Sequence, residues 1–179
     1  MPERSDCAMP HLKIGDKQLE YVWHGPGPAE APTLVFLHEG LGCVAMWRDF
    51  PERLAAQTGC GALVYSRAGY GNSDRSELPR AVRFMHDEAL VTLPQVLDAF
   101  QIREAILVGH SDGGSIALMH AGGILNHEDT KSTKTEESKR TSRSLSTRLK
   151  GPRIKRVMVH AASNAARSCV TPVAVPRGH

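Results

Sequence analysis

The sequence predicts an α/β fold, a mostly parallel sheet with flanking helices, from three observations. Short apolar runs at Thr33 to His38, Ala62 to Tyr65 and Ala105 to Val108 have the length and content of buried central strands. Segments with helical spacing alternate with them, and that alternation requires right-handed crossovers and a parallel sheet. Each run empties into a polar, glycine-punctuated loop, which gathers the loops at the carboxyl edge of the sheet, where open α/β sheets place their sites.

Taken in order, Leu12 to Ile14 and Leu19 to Trp23 read as a hairpin, with Gly15-Asp16 as its turn. A Pro/Gly loop from Gly25 to Pro32 separates it from the run at 33 to 38, and Glu39 to Gly42 follows that run. Asp49 is placed to cap a helix carrying Phe50, Leu54 and Ala55 on one side, with Gly59 ending it. The run at 62 to 65 leads into the loop from Ser66 to Asp74. From His86 to Phe100, apolar residues at Leu90, Leu93, Leu97 and Phe100 predict a helix, with Pro94 either kinking it or starting its second part. A strand, a tight turn and a helix occupy 105 to 121.

The pattern then breaks. Residues 126 to 150 are Ser, Thr and charge with few apolar side chains, which predicts disorder or an exposed low-complexity insertion within a domain spanning 12 to 161. Ile154 to His160 recovers a strand, and 162 to 179 reads as an irregular tail.

Length and composition bound the function classes. The chain has 179 residues, enough for one domain with a real core. Its net charge of +3 resides in the segment from 126 to 150, which lacks interleaved aromatics, so a nucleic-acid partner is not expected. Cys7, Cys43, Cys60 and Cys169 show no C-x-x-C spacing, and neither a metal site nor a disulfide framework is expected. The amino-terminal residues lack a signal-peptide core, and no run is long enough to cross a bilayer, so a cytoplasmic protein without membrane association is expected.

The chemistry-bearing stretch is Gly109-His110-Ser111-Asp112-Gly113, between a strand and a helix, in the G-x-S-x-G pattern of a nucleophile elbow. Such a turn holds its central side chain in a strained backbone conformation, and Gly109, Gly113 and Gly114 let strand and helix approach closely. The helix amino terminus offers oriented N–H groups to a developing oxyanion, so Ser111 is the candidate nucleophile. Glycine-rich turns also bind phosphates or merely turn. No Lys-Ser or Lys-Thr follows, as a P-loop requires, and no G-x-G-x-x-G is present.

Three motifs in register resemble the α/β-hydrolase superfamily, specifically its esterase-like members. They are His38-Glu39-Gly40-Leu41-Gly42, the stretch from Tyr65 to Asp74, and Gly109 to Gly114. The likeness runs from about residue 12 to about residue 125, with a weaker match near 157. It implies acyl-ester hydrolysis of a small-molecule substrate without a cofactor, with Ser111 as nucleophile. The backbone N–H of Asp112 is implied as one oxyanion donor and Gly40 as the other, with Leu41 the fallback if the register slips by one. Haloalkane-type members of the superfamily use an aspartate where this chain has Ser111.

The sequence departs from the family in two places. Glu39 stands where glycine is frequent, and a carboxylate facing an oxyanion opposes catalysis, so Glu39 is expected to point away and bond or cap loop N–H groups. His38 is read as a brace for the loop rather than a catalytic group. The family orders its triad Ser, then Asp or Glu, then His, yet downstream of Ser111 the acids are Asp112 and Glu128, Asp129, Glu136 and Glu137. The histidines are His120, His127, His160 and His179, of which only His160 falls at the carboxyl edge as a makeshift base. The fold is therefore expected to be incomplete at its C-terminal end, as a truncated or frameshifted reading produces. Turnover is expected to be weak or absent, and the open sheet edge available for self-association. The rival class is a non-catalytic ligand-binding or interaction protein on the same fold.

Overall fold

A computed structural model describes the backbone of residues 9–132, 153–160 and 172–173, and the side chains of residues 9–123. Among the described residues seven strands, numbered in chain order, form one sheet in the order β1-β2-β4-β3-β5-β6-β7. The hairpin is β1 (His11–Ile14) and β2 (Lys17–His24), turned at Gly15 with φ of 58°. Strands β3 (Thr33–Leu37), β4 (Gly61–Tyr65), β5 (Glu104–His110) and β6 (Arg153–His160) run parallel, and β2 lies antiparallel against β4. The sheet is mixed, antiparallel at both margins and parallel at its centre, and that parallel centre with flanking helices is the α/β architecture that the alternation of runs predicts.

Strand periodicity divides the core into two layers. Val35 and Leu37 of β3, Leu63 and Tyr65 of β4, and Ala105 and Leu107 of β5 face one side. Leu34 and Phe36, Ala62 and Val64, and Val108 face the other. Successive side chains on a strand point to opposite faces, so a strand buried on both needs apolar residues throughout. The first layer is completed by Leu93, Val96 and Leu97 of α3 (Leu93–Ala99) and by Ile116 and Ala117 of α4 (Asp112–Ser132). The second is completed by Val44 of a 3₁₀ turn (Val44–Trp47) and Ala55 of α1 (Phe50–Thr58).

Four expectations are corrected. Asp49 precedes α1 but makes no side-chain cap; its backbone is already helical, and its carboxylate pairs with Arg53 at 3.5 Å. Leu90 does not join the core stripe: it is 47% exposed, while Ala89 is fully buried. The cause is a π-helical segment, Glu88–Thr92, between the short α2 (Phe84–Asp87) and α3, whose wider turn shifts the phase of the stripe. Pro94 sits in the first turn of α3, so it starts the second part. Helix α4 continues to Ser132, past residue 126, because Asn, Glu, Asp and Lys there include no proline or glycine to stop it. Finally, Pro172–Val173 forms β7, antiparallel to β6. A two-residue strand has no period to read, so the tail from 162 to 179 is not wholly irregular. The rest of the low-complexity stretch, from residue 133, lies outside the described residues.

Among the described residues, no helix is long and apolar enough to cross a membrane.

Candidate active site

The strand-to-helix turn is built as its glycines predict. Ser111 has φ of 51°, in the left-handed region, directly between His110 at the end of β5 and Asp112 at the start of α4. The N–H groups of Gly114 and Ser115 donate to the Ser111 carbonyl at 2.8 and 3.2 Å, closing the first helical turn. A Cβ on Gly109 would lie 2.5 Å from the Gly113 carbonyl oxygen, and one on Gly113 would overlap the Leu37 carbonyl oxygen. Helix α4 therefore crosses the end of β3 at backbone contact, and the Ser111 side chain is left exposed.

The loop after β3 reaches the same place. A Cβ on Gly40 would lie 2.7 Å from Asp112 Oδ2, so Gly40 packs directly on the residue after Ser111. Leu41, the fallback, is 91% exposed. Ser111, Asp112 and Gly40 are thus gathered at one edge. The Glu39 carboxylate, expected to cap loop N–H groups, instead meets the residue before Ser111: Oε2 pairs with His110 Nδ1 at 3.7 Å.

His38 is a brace. Its Nδ1 donates to the Glu39 carbonyl at 2.7 Å, and its Nε2 accepts from the Arg67 backbone N–H at 3.0 Å. Because a carbonyl can only accept and an N–H only donate, these partners define a neutral ring with the proton on Nδ1. Burial first, then the charges of Arg67 and Arg80, push its pKa down to about 3, against the opposing pull of the Glu39 hydrogen bond. His120 is also lowered by burial, and its Nδ1 donates to the Ala89 carbonyl at 2.7 Å. Neither ring is placed to take a proton from Ser111. His160 is aligned with His110 in the β5/β6 register, which puts it at the strand end beside the turn. Glu128 and Asp129 lie on the far part of α4, and Glu136, Glu137 and His179 lie outside the described residues.

Three residues that organise this edge escape sequence reasoning. Glu20 of β2 is a buried carboxylate that accepts from Ser66 Oγ at 2.8 Å, Asn72 N at 2.9 Å and Asn72 Nδ2 at 3.0 Å. It ties the loop after β4 to the hairpin, and Ser66 Oγ in turn accepts from Val44 N at 2.9 Å. Arg67 is 2% exposed and donates from Nη1 to the His38 carbonyl at 2.7 Å and from Nη2 to the Glu39 carbonyl at 2.9 Å. Glu88, in the π segment, has its pKa raised by burial, with Arg67 and Arg80 pulling the other way. Alternation in β2 places Glu20 opposite Leu19, Tyr21 and Trp23, on the face expected to be polar, so the sequence carries no signal of its burial, and the partners of all three residues are distant in sequence.

At the opposite, amino edge of the sheet, Trp23, His24, Pro26, Glu52 and Ala55 line an open cleft of about 510 Å³. Among the described residues no group of three or more His, Cys, Asp or Glu side chains is arranged to hold a metal ion.

A parallel-centred sheet with a strained serine at its carboxyl edge, flanked by a glycine loop, defines the hydrolase class of α/β proteins. Residues 34–175 match the alpha/beta hydrolase family, and the chain belongs to that family. A RutD protein of Azorhizobium caulinodans, assigned as a carbamate hydrolase, is 35% identical over 111 residues, covering 62% of this chain and 38% of that protein. The 2-succinyl-6-hydroxy-2,4-cyclohexadiene-1-carboxylate synthase of Salmonella paratyphi C is 33% identical over 101 residues, covering 56% of this chain and 37% of that protein. The chain thus spans less than two-fifths of the length of these relatives. Among solved structures, MGS-M2, an alpha/beta hydrolase enzyme from a Medee basin deep-sea metagenome library, shares the fold. Its TM-score is 0.60 at 20% identity, over 84% of this chain and 43% of that one.

Proposed function

We propose that this chain carries the nucleophile and oxyanion half of a serine hydrolase acting on a carboxylic ester or related acyl bond. Ser111 Oγ attacks the acyl carbonyl carbon and its proton passes to a base, for which His160 is the positional candidate. The N–H groups of Asp112 and Gly40 stabilise the oxyanion. The base returns that proton to the departing oxygen as the C–O bond breaks, then takes one from the water that attacks the acyl-serine and passes it to Ser111 Oγ, which leaves as the hydroxyl while the acid is released. The substrate is a small acyl compound, in a cytoplasmic setting, with no cofactor, metal, nucleic acid or membrane required. Support comes above all from one observation: Ser111 at φ of 51° on the strand-to-helix turn, with Gly40 packed against the next residue. The carbamate-hydrolase assignment of a relative is consistent with attack on an acyl carbon.

Among the side chains described, His38 and His120 are engaged with backbone groups rather than with Ser111, and His110 pairs with Glu39. Turnover by this chain is therefore expected to be weak, and the same observation favours the second reading, a binding protein on a hydrolase fold. A fluorophosphonate probe separates them. Slow labelling that disappears in Ser111→Ala, with p-nitrophenyl acetate hydrolysis near the level of that variant, is the expected result. Equal labelling of both proteins removes Ser111 as nucleophile.

A further inference from the structure

We infer that Arg67, acting with His38, is a positioning residue that fixes the direction of the Gly40 N–H. The functional half of this inference rests on the serine-hydrolase reading above; the geometric half does not. The Glu39 carbonyl and the Gly40 N–H belong to one planar trans peptide, so they point in opposite directions. Holding the oxygen on one side aims the N–H to the other.

That oxygen is held three times over. It accepts from His38 Nδ1 at 2.7 Å, Arg67 Nη2 at 2.9 Å and Gly42 N at 3.2 Å. The preceding peptide is fixed by the same guanidinium, because Arg67 Nη1 donates to the His38 carbonyl at 2.7 Å. Neither peptide can rotate without leaving a buried carbonyl unpaired, which is costly. The lock is also reciprocal: the Arg67 backbone N–H holds the His38 ring that holds Glu39. The Tyr70 ring closes the set, 5.0 Å from the His38 ring and 5.3 Å from the Arg67 guanidinium. Glycine at 40 has no side chain to resist a peptide flip, so the orientation has to be imposed from outside.

A plainer role for Arg67 is to tie two loops together. That role predicts lower stability in a variant, with the Gly40 N–H still pointing where it does. The two are separated by measuring the residual dipolar coupling of the Gly40 N–H against those of Val35 and Phe36 in the full ¹⁵N-labelled chain. The variants are Arg67→Met and Arg67→Lys, and each is also scored for its fluorophosphonate labelling rate at Ser111.

The inference expects the Gly40 coupling to change in Arg67→Met while the β3 couplings hold, with labelling at least about tenfold slower. Arg67→Lys, which keeps the charge and can still donate to one carbonyl, should fall between Arg67→Met and the parent in both readouts. If Arg67→Met does not fold, Arg67→Lys decides. An unchanged Gly40 coupling in a folded variant overturns the positioning role. A changed coupling with unchanged labelling overturns Gly40 as the oxyanion donor. Failure of the parent chain to label at Ser111 sinks the hydrolase reading alone, and the coupling still decides the lock.

Discussion

The loop after β3 and the turn after β5 stand side by side at the carboxyl edge of the sheet, and they are held by opposite physical means. The loop is held by polar satisfaction: its carbonyls at His38 and Glu39 are saturated by Arg67, His38 and Gly42. The turn is held by the absence of side chains, with Gly109 and Gly113 at backbone contact with their neighbours. Under the proposed function both arrangements serve the same end, a peptide N–H aimed at the oxyanion. They differ in what disturbs them, since one responds to protonation and donor loss and the other to volume.

The largest expected effect comes from volume at the turn. In Gly113→Ala the new methyl group meets the Leu37 carbonyl, a rigid neighbour, and the loss should be about 3 kcal/mol in urea or thermal unfolding. Gly122→Ala, one helical stretch further along α4, meets nothing within 4 Å and should gain about 0.5–1 kcal/mol. Equal behaviour of the two would break the contrast, because close packing would then not be what holds the turn.

An intermediate effect comes from pH at the loop. The His38 ring binds a proton below its ordinary 6.5 in the unfolded chain but only at about 3 in the folded one. Between those values the unfolded state carries more protons, so stability falls as pH drops through that window, by at most about 1.4 kcal/mol per pH unit. Burial of His120 adds in the same direction. His38→Gln should flatten the slope of unfolding free energy against pH, while Gly113→Ala should shift the whole curve without changing its slope.

The smallest effect is expected between the two regions. Glu39 and His110 connect the loop to the turn, but the pair is 3.7 Å apart and partly exposed. Glu39→Gln should change stability by less than about 0.5 kcal/mol. A larger loss would mean that the loop and the turn are one cooperative unit.

The same division explains how much of this edge was legible in the sequence. The turn was readable because its cause is local: three glycines around Ser111 can be seen in five or six adjacent letters, and the apolar runs that bracket it carry their own periodicity. The loop was only half readable. His38 as a brace followed from chemistry, but its partner Arg67 and the Glu39 partner His110 lie 29 and 71 positions on and leave no periodic trace. Glu20 illustrates the same limit, since a lone acid on a strand reads as a solvent-facing residue until Ser66 and Asn72 are brought to it. The phase shift at Leu90 failed for another reason: a π segment changes the turn angle itself, so the helical template was the wrong ruler.

The strand order has a consequence for how the chain is made. β3 lies between β4 and β5, and the partner on its second side, Glu104–His110, is encoded well after it. At about 5–20 residues per second, a ribosome needs about 3–13 s to add the intervening residues. Throughout that interval Thr33–Leu37, apolar at every position but one, has a bare edge and can pair with any other unfinished chain. Slower translation from His38 to Arg103 is therefore expected to lengthen the exposure of that edge, whatever the stability of the finished sheet.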